Sequence, residues 1–225
     1  MSFYSENQPS FLPGKRHIVF INGELINGRR IADSIRSDDL LIGVDGGTNH
    51  ILALGLTPHV VLGDLDSISK ETLQVIQEKN IKTLSHPVDK DQTDLELAIE
   101  FSLSLAPTEI VFVSALGGRF DHALANILIL NRADLHGRSI SFFDGSTRIV
   151  LLSGNVEMRF EGIKGRTFSL LPMSSDVRVE ALQGARWGLA NEALPLGTSR
   201  GVSNVFAEDT ISIRLSSGRL LLVMP

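Results

Sequence analysis

Short apolar runs alternate with segments of helical period along the first two thirds of the chain. The runs are typical of buried strands, and in the segments between them apolar residues recur three and four positions apart, as on one face of a helix. Strand and helix in alternation predict βαβ units and a mainly parallel sheet. The predicted strands are residues 17–21, 40–44, 59–62, 110–113 and 140–143, and the predicted helices are residues 29–37, 48–54, 69–79, 94–105 and 123–134.

The pattern changes near residue 153. Beyond it, short segments punctuated by Gly, Pro and Ser replace the helical period, and Ile211, Ile213 and Leu215 alternate with polar neighbours as in a half-buried strand. These segments are residues 156–160, 167–171, 177–181, 203–207, 210–215 and 220–223. We therefore predict a flexible arm over residues 1–14, a Rossmann-like α/β domain over residues 15–153 and a small all-β sandwich over residues 154–225.

Composition places the chain among soluble globular proteins, since 43% of its 225 residues are hydrophobic and 21% are charged. It has no cysteine, no apolar run of the ~18 residues that span a bilayer, and no signal-peptide layout in the arm. The cytoplasm is the expected location. Residues 1–154 hold 19 acidic and 13 basic residues, against 7 and 8 in residues 155–225. An acidic first part suits cation binding and argues against a nucleic-acid surface, which needs a basic face.

The first candidate for chemistry is an acidic turn, Asp64-Leu65-Asp66, that follows the predicted strand 59–62. Alone, such a pair more often caps a helix or makes a turn, because Asp is preferred at both. At the carboxyl end of a strand in an open α/β sheet it is also a candidate ligand pair for Mg²⁺, which takes carboxylate, water and phosphate oxygens. Further acidic turns favour the metal, and two more follow.

The second acidic turn precedes the helix predicted from Asp94. Thr93 and Glu96 fit a capping box, in which a side chain at each end satisfies a backbone N–H of the first turn. The box leaves unexplained three aspartates crowded at one helix start: Asp89, Asp91 and Asp94. A helix N-terminus attracts anions, so structural acids and metal-bound phosphate both remain open there. Lys90 suits a phosphate oxygen.

The third turn, Gly117-Gly118-Arg119-Phe120-Asp121-His122, follows the predicted strand 110–113 and opens another helix. Paired glycines let backbone approach a ligand closely, and a guanidinium binds phosphate through two donors. Alone, the glycine pair is more often a plain turn and His122 more often a helix-start residue. The C-terminal part offers Trp187, the only tryptophan, as a platform for a heteroaromatic ring or as a core or domain-interface residue. It also offers Ser203-Asn204 as ring contacts or as a turn.

Taken in series, these motifs resemble the thiamine pyrophosphokinase family. The resemblance runs from about residue 17 to the end and rests on six segments: Asp45-Gly46-Gly47 with Asn49, Gly63–Ser67, Asp91–Asp94, Gly117–His122, Trp187, and Ser203-Asn204. It implies an α/β domain followed by a β-sandwich, a homodimer with active sites at the subunit interface, and transfer of the pyrophosphoryl group of ATP to thiamine, giving thiamine diphosphate and AMP.

The resemblance also implies roles for single residues. Asp64, Asp66 and Asp94 would be the Mg²⁺ ligands and would share the catalytic work with Arg119 and Asp121. The nucleotide and phosphate pocket would be lined by Asp45, Gly46, Gly47, Asn49, Lys90, Gln92, Thr93, Arg119, Asp121 and His122. Thiamine would meet Trp187, Ser203 and Asn204, partly from the opposite subunit.

The missing motifs agree with this family. No Walker-type phosphate loop and no His-Arg-Asp kinase set occur, so ATP would be held by metal, helix starts and Arg119. The thiamine hydroxyl would attack the β-phosphorus, with Asp64, Asp94 and Asp121 all open as proton acceptors. Two other hypotheses remain: a pyrophosphokinase for another heterocyclic alcohol such as a hydroxymethylpterin, and a non-catalytic sensor of thiamine, which would not need the acidic turns.

Overall fold

The computed structural model describes residues 14–85, 93–135, 137–162 and 164–225. The predicted arm, apart from Gly14, and two predicted nucleotide contacts, Lys90 and Gln92, lie outside these ranges.

The N-terminal part alternates strand and helix as predicted. Each bound lies within a few residues of the sequence expectation, except that the last helix starts at Phe120 and ends at Leu128, followed by the 3₁₀ turns Ile129–Asn131 and Ala133–Leu135. The elements are β1 (Arg16–Phe20), α1 (Gly28–Ser34), β2 (Leu40–Val44), α2 (Gly47–Ala53), β3 (Val60–Gly63), α3 (Lys70–Glu78), β4 (Lys82–Ser85), α4 (Asp94–Ser104), β5 (Glu109–Val113), α5 (Phe120–Leu128) and β6 (Ile140–Phe143).

These strands pair in parallel and are covered by helices on both faces. Val19 of β1 packs in one apolar cluster with Ala98 and Phe101 of α4. Its neighbours Ile18 and Phe20 pack in a second cluster with residues of α1 and α2. Parallel strands that are buried on both faces have continuous apolar sequences. These strands could therefore be predicted from the sequence.

The C-terminal part is all β. Its strands are β7 (Arg148–Ser153), β8 (Val156–Glu161), β9 (Thr167–Pro172), β10 (Arg178–Gln183), β11 (Leu189–Ala193), β12 (Asn204–Val205), β13 (Thr210–Ser217) and β14 (Arg219–Met224). Within the described ranges, one ten-stranded sheet has the order β12-β9-β14-β7-β6-β5-β1-β2-β3-β4, and a four-stranded antiparallel sheet has the order β11-β10-β13-β8.

The long sheet continues from the parallel strands into the C-terminal part, because β7 pairs antiparallel with both β6 and β14. Phe168, Leu170 and Leu222 of the long sheet face Val179 and Ile213 of the short one in a single apolar cluster. The fold class is thus the predicted one, an α/β region with a parallel sheet followed by a β-rich region.

The sequence pattern did not reveal β4, β7 or β11. β4 has one apolar residue in four, Leu84, and lies at the edge of the long sheet. β11 lies at the edge of the short sheet and is mostly exposed. Edge strands do not need two apolar faces, so they carry a weak pattern.

Candidate active site

The main cleft opens where the order of the parallel strands reverses. The chain leaves β1 through β2, β3 and β4 on one side, and returns to place β5 and β6 on the other. Ligands of open α/β sheets bind at such a switch point, outside the carboxyl ends of the strands. A cleft of about 770 Å³ lies there, and its lining includes the segments after β1 (Ile21–Glu24) and β5 (Ser114–Arg119, except Leu116), together with Asp64, Thr93, Asp94, Asp121 and His122.

Three carboxylates from different elements meet beside this cleft. Asp45 follows β2, Asp64 follows β3 and Asp94 begins α4. Burial raises the pKa of Asp45 to about 7, and a hydrogen bond with Asp94 and the charges of Asp94 and Asp64 act in the same direction. Negative charge is therefore concentrated here, and a proton on Asp45 offsets part of it. A bound cation can offset the charge in place of that proton.

Gly63 makes this arrangement possible. Its φ of +123° is a backbone conformation open to glycine, and a Cβ at this position would overlap the carboxylate of Asp45. Asp45 Oδ1 in turn accepts the backbone N–H of Leu65 at 3.1 Å. The acidic turn after β3 is thus held directly against the buried Asp45.

The site fits Mg²⁺ in its donor chemistry. Among the described residues, no group of three or more His, Cys, Asp or Glu is already placed to hold a metal ion. Mg²⁺ commonly takes only one or two protein carboxylates and completes its shell with water and substrate phosphate, so it needs no such group. The crowded carboxylates of Asp45, Asp64 and Asp94 are of the hard oxygen type that Mg²⁺ takes.

Asn49 and Asp66 lie around the acidic turn. The Asn49 side chain donates to the Ser67 carbonyl and accepts the Ser69 N–H, both at 3.0 Å. Its amide therefore clamps the turn after β3. Asp66 is exposed and accepts the Ser67 hydroxyl at 2.8 Å. Its predicted role in metal binding, like the nucleotide contact predicted for Asn49, remains a prediction.

Arg119 and Asp121 form a two-point ion pair at the mouth of the cleft, with N···O distances of 3.1 and 2.5 Å. The hydrogen bond from Arg119 lowers the pKa of Asp121 to about 2, and the same bond raises the pKa of Arg119. Both side chains are largely exposed. The guanidinium is thus positioned beside the glycine pair and available to an incoming anion.

The remaining predicted residues have clear local contacts. Thr93 and Glu96 form the predicted capping box of α4, with Thr93 N–H donating to Glu96 Oε2 at 2.8 Å. Gly46 and Gly47 begin α2 against the end of β1, where a Cβ on either would overlap Asn22 or the Phe20 carbonyl. Close packing thus accounts for both glycines; their predicted nucleotide contact stays a prediction.

The sequence interpretation missed the segment Asn22-Gly23-Glu24 and Ser114, which all line the cleft. Ser114 has a φ of +57° and is 3% exposed, and its hydroxyl has no hydrogen-bond partner among the described residues. Both features are unfavourable, and such features concentrate at functional sites. Their position in the sequence could have identified them. The segment Asn22–Glu24 and Ser114 each follow a predicted strand, and the carboxyl ends of these strands lie at the same sheet edge as Asp45 and Asp64.

The predicted thiamine residues gather at a second, separate pocket of about 360 Å³, lined by Trp187, Arg200, Val202, Ser203 and Asn204. Asn204 is 4% exposed, accepts Trp187 N–H at 3.1 Å and donates to Trp187 O at 2.8 Å. It therefore fixes the backbone of Trp187. The indole is 46% exposed, with the Arg186 guanidinium 4.9 Å from its ring centre, so Trp187 is not the core residue of the alternative interpretation.

These features define a class of α/β protein with an acidic cleft at the carboxyl edge of a parallel sheet and a β-rich region that carries a second pocket. Known proteins make the assignment specific. Residues 31–142 match the family model described as thiamin pyrophosphokinase, catalytic domain, and residues 155–220 match thiamin pyrophosphokinase, vitamin B1 binding domain.

Single relatives agree over most of their lengths. The thiamine pyrophosphokinase of Bacillus subtilis is 30% identical over 185 residues, which cover 82% of this chain and 86% of the relative. Thiamine pyrophosphokinase 1 of Oryza sativa is 28% identical, over 79% and 76% of the two chains. The crystal structure of the Bacillus subtilis enzyme has a TM-score of 0.81 at 28% identity and covers 93% of this chain and 98% of that one.

The chain belongs to the thiamine pyrophosphokinase family. It is an enzyme with that family's activity, the transfer of a pyrophosphoryl group from ATP to thiamine. Within the described residues, no helix has the length and apolar character needed to cross a bilayer.

Proposed function

We propose that the cleft between β1 and β5 binds Mg·ATP and that thiamine reaches it from the Trp187 pocket of a second copy of the chain. The observation that carries the proposal is the meeting of Asp45, Asp64 and Asp94 beside a cleft that also presents Arg119. Negative charge at a phosphate site calls for a cation between protein and substrate, and phosphoryl transfer depends mainly on positioning and charge neutralisation.

Asp64 and Asp94 would hold the metal, with Asp45 as the buried third carboxylate beside them and Asp66 at the rim. Mg²⁺ bound there would neutralise phosphate charge and orient the polyphosphate. The α4 start at Thr93 would face the same phosphates with its free N–H groups. Arg119 would exchange part of its pairing with Asp121 for the transferred group.

In the reaction, the thiamine hydroxyl oxygen bonds to the β-phosphorus, the bond from that phosphorus to the oxygen bridging the α-phosphorus breaks, and AMP leaves with that oxygen. The hydroxyl proton passes to a carboxylate or to solvent. The hydrogen bond from Arg119 lowers the pKa of Asp121 to about 2, so Asp121 is a poor proton acceptor while that ion pair is intact.

Distance supports the involvement of a second copy. Asn204, which fixes Trp187, belongs to β12, and six strand-to-strand steps separate β12 from β1. At ~4.8 Å per step this is roughly 29 Å along the sheet, farther than a ligand of two linked rings extends. Thiamine beside Trp187 would not reach the phosphates of the same chain, whereas in the proposed two-fold dimer each pocket would meet the partner's cleft.

The α5 helix offers a surface for that dimer. None of its residues is buried in the single chain, and Phe120, Leu124 and Leu128, spaced four apart on one face, are 79%, 43% and 51% exposed. Contiguous apolar patches on soluble proteins mark interaction sites. The surface starts next to Arg119, so a partner covering it would stand at the mouth of the cleft.

The reaction is tested directly by incubating the purified protein with Mg²⁺, ATP and thiamine and separating the products by mass. We expect thiamine diphosphate and AMP in equal amounts. ADP with thiamine monophosphate would contradict pyrophosphoryl transfer, and a product only from a pterin alcohol would move the activity to another substrate. Binding of thiamine without AMP formation would instead indicate a sensor.

Replacing Trp187 by Ala is expected to weaken thiamine binding by about 1–3 kcal/mol, the scale of a lost aromatic stack and the apolar burial that goes with it. ATP binding should change little, because the cleft is separate from this pocket. Titration calorimetry with each ligand measures both effects. Trp187→Phe is the matched control and should retain most of the affinity. Equal thiamine affinity in the wild type and the Ala variant would remove Trp187 from the substrate site.

A further inference from the structure

The wall of the cleft formed by Asn22, Gly23 and Glu24 is packed tightly against its neighbours. A Cβ on Gly23 would overlap the Ser114 carbonyl oxygen, and one on Gly117 would lie 2.7 Å from Glu24 Cβ. Gly46 would meet the Asn22 side chain in the same way. The segment after β1 thus packs between the start of α2, the end of β5 and the glycine pair. Three of its close contacts are possible only because one of the two residues in contact is a glycine.

The side chain of His50 makes a hydrogen bond to the backbone of this wall. His50 of α2 lies 2.8 Å from the Gly23 carbonyl oxygen through its Nε2 atom. A carbonyl only accepts, so Nε2 carries the hydrogen and donates it. The preceding residue, Asn49, clamps the acidic turn after β3. Adjacent helix residues point about 100° apart, so α2 secures two walls of the cleft with two neighbouring side chains.

We propose that His50 is a positioning residue for nucleotide binding, acting through Gly23 to hold the Asn22–Glu24 wall in the shape that accepts ATP. The segment has three close packing contacts with its neighbours. Among the described residues, the bond from His50 is the only side-chain hydrogen bond to the Gly23 carbonyl. The inference rests on the proposed function of the cleft. It assigns to His50 no contact with substrate and no proton transfer.

The test compares His50→Phe, which keeps a ring but loses the donor, with His50→Gln, whose amide N–H₂ can replace Nε2–H. Affinity for a non-hydrolysable ATP analogue with Mg²⁺ is measured by calorimetry, and KM for ATP, KM for thiamine and Tm are measured beside it. We expect about tenfold weaker nucleotide binding in the Phe variant, the scale of a lost hydrogen bond and a displaced wall. The thiamine KM should be unchanged, and the Gln variant should be close to wild type.

A matched control is His59→Phe. His59 Nδ1 accepts the Leu41 N–H at 2.9 Å, just before β3 at the opposite end of the strands from the cleft. Its loss should lower Tm without changing nucleotide affinity. If His50→Phe behaves in that way too, or binds the analogue as wild type does, the positioning role is overturned. His50→Ala gives the same comparison should the Phe variant not fold. Wild-type protein that binds no nucleotide overturns the proposed function of the cleft as well.

Discussion

Asp64→Asn is expected to lower the turnover of thiamine to thiamine diphosphate by about a hundred- to a thousandfold, the loss typical of removing one electrostatic group from a transition-state site. Asp64 begins the turn after β3, lines the cleft and adds to the negative charge around the buried Asp45. The Asn variant keeps the shape of the side chain and removes the charge that would hold Mg²⁺. Initial rates over a range of Mg²⁺ concentrations measure the effect, and part of the loss should be recovered at high Mg²⁺.

Loss of folding is separable from this effect. Asp45, Asp64 and Asp94 crowd one another, so removing a charge relieves repulsion and should leave Tm equal or raise it. Asp33→Asn is the matched control, an exposed aspartate in α1, and should keep full activity. Asp66→Asn, at the rim, tests the predicted second ligand. An Asp64→Asn enzyme with near-normal turnover at limiting Mg²⁺ would show that the acidic turn is only structural.

The parallel half of the fold could be predicted because its strands are buried on both faces. β2 and β3 appear in the sequence as unbroken apolar runs and β1 as a shorter one after Arg16 and His17, and the helices between them keep their period. The continuation of the long sheet through β7, β14 and β9 was beyond the sequence, since strand pairing between distant segments leaves no mark in local hydrophobic pattern. The edge strands β4 and β11 were hidden for a different reason, because an edge strand carries a weak apolar pattern.

In the site, the order of the acidic turns predicted that charged groups collect at one sheet edge. It did not predict which groups touch. The proximity of Asp94, which helps to raise the pKa of Asp45, joins two elements far apart in the chain. The sequence also did not predict the backbone contacts of Asn49 and Asn204. Their side-chain amides bond to the backbone of Ser67, Ser69 and Trp187. An amide that clamps a loop and one that binds a ring look the same in sequence.

Mixed dimers of an Asp64→Asn chain and a Trp187→Ala chain should recover activity that neither parent has. In the proposed dimer each site takes its acidic cleft from one chain and Trp187 from the other. A heterodimer of the two variants therefore has one site with both groups intact and one site with neither. Chains mixed at random in equal amounts should give roughly a quarter of the wild-type activity at thiamine concentrations below KM, since half of the two-fold dimers are mixed and half of their sites are intact.

Co-expression with two affinity tags and tandem purification isolates the heterodimer for this measurement. The matched control pairs a wild-type chain with a chain that carries both substitutions. Shared sites leave this second heterodimer with little activity at thiamine concentrations below KM, because each of its sites lacks either Asp64 or Trp187. Sites built from single chains give the opposite pair of results: no recovery in the first heterodimer and about half activity in the second. Since the two arrangements predict reversed outcomes from chains with the same two substitutions, the comparison decides whether thiamine held by one chain reacts at the cleft of its partner.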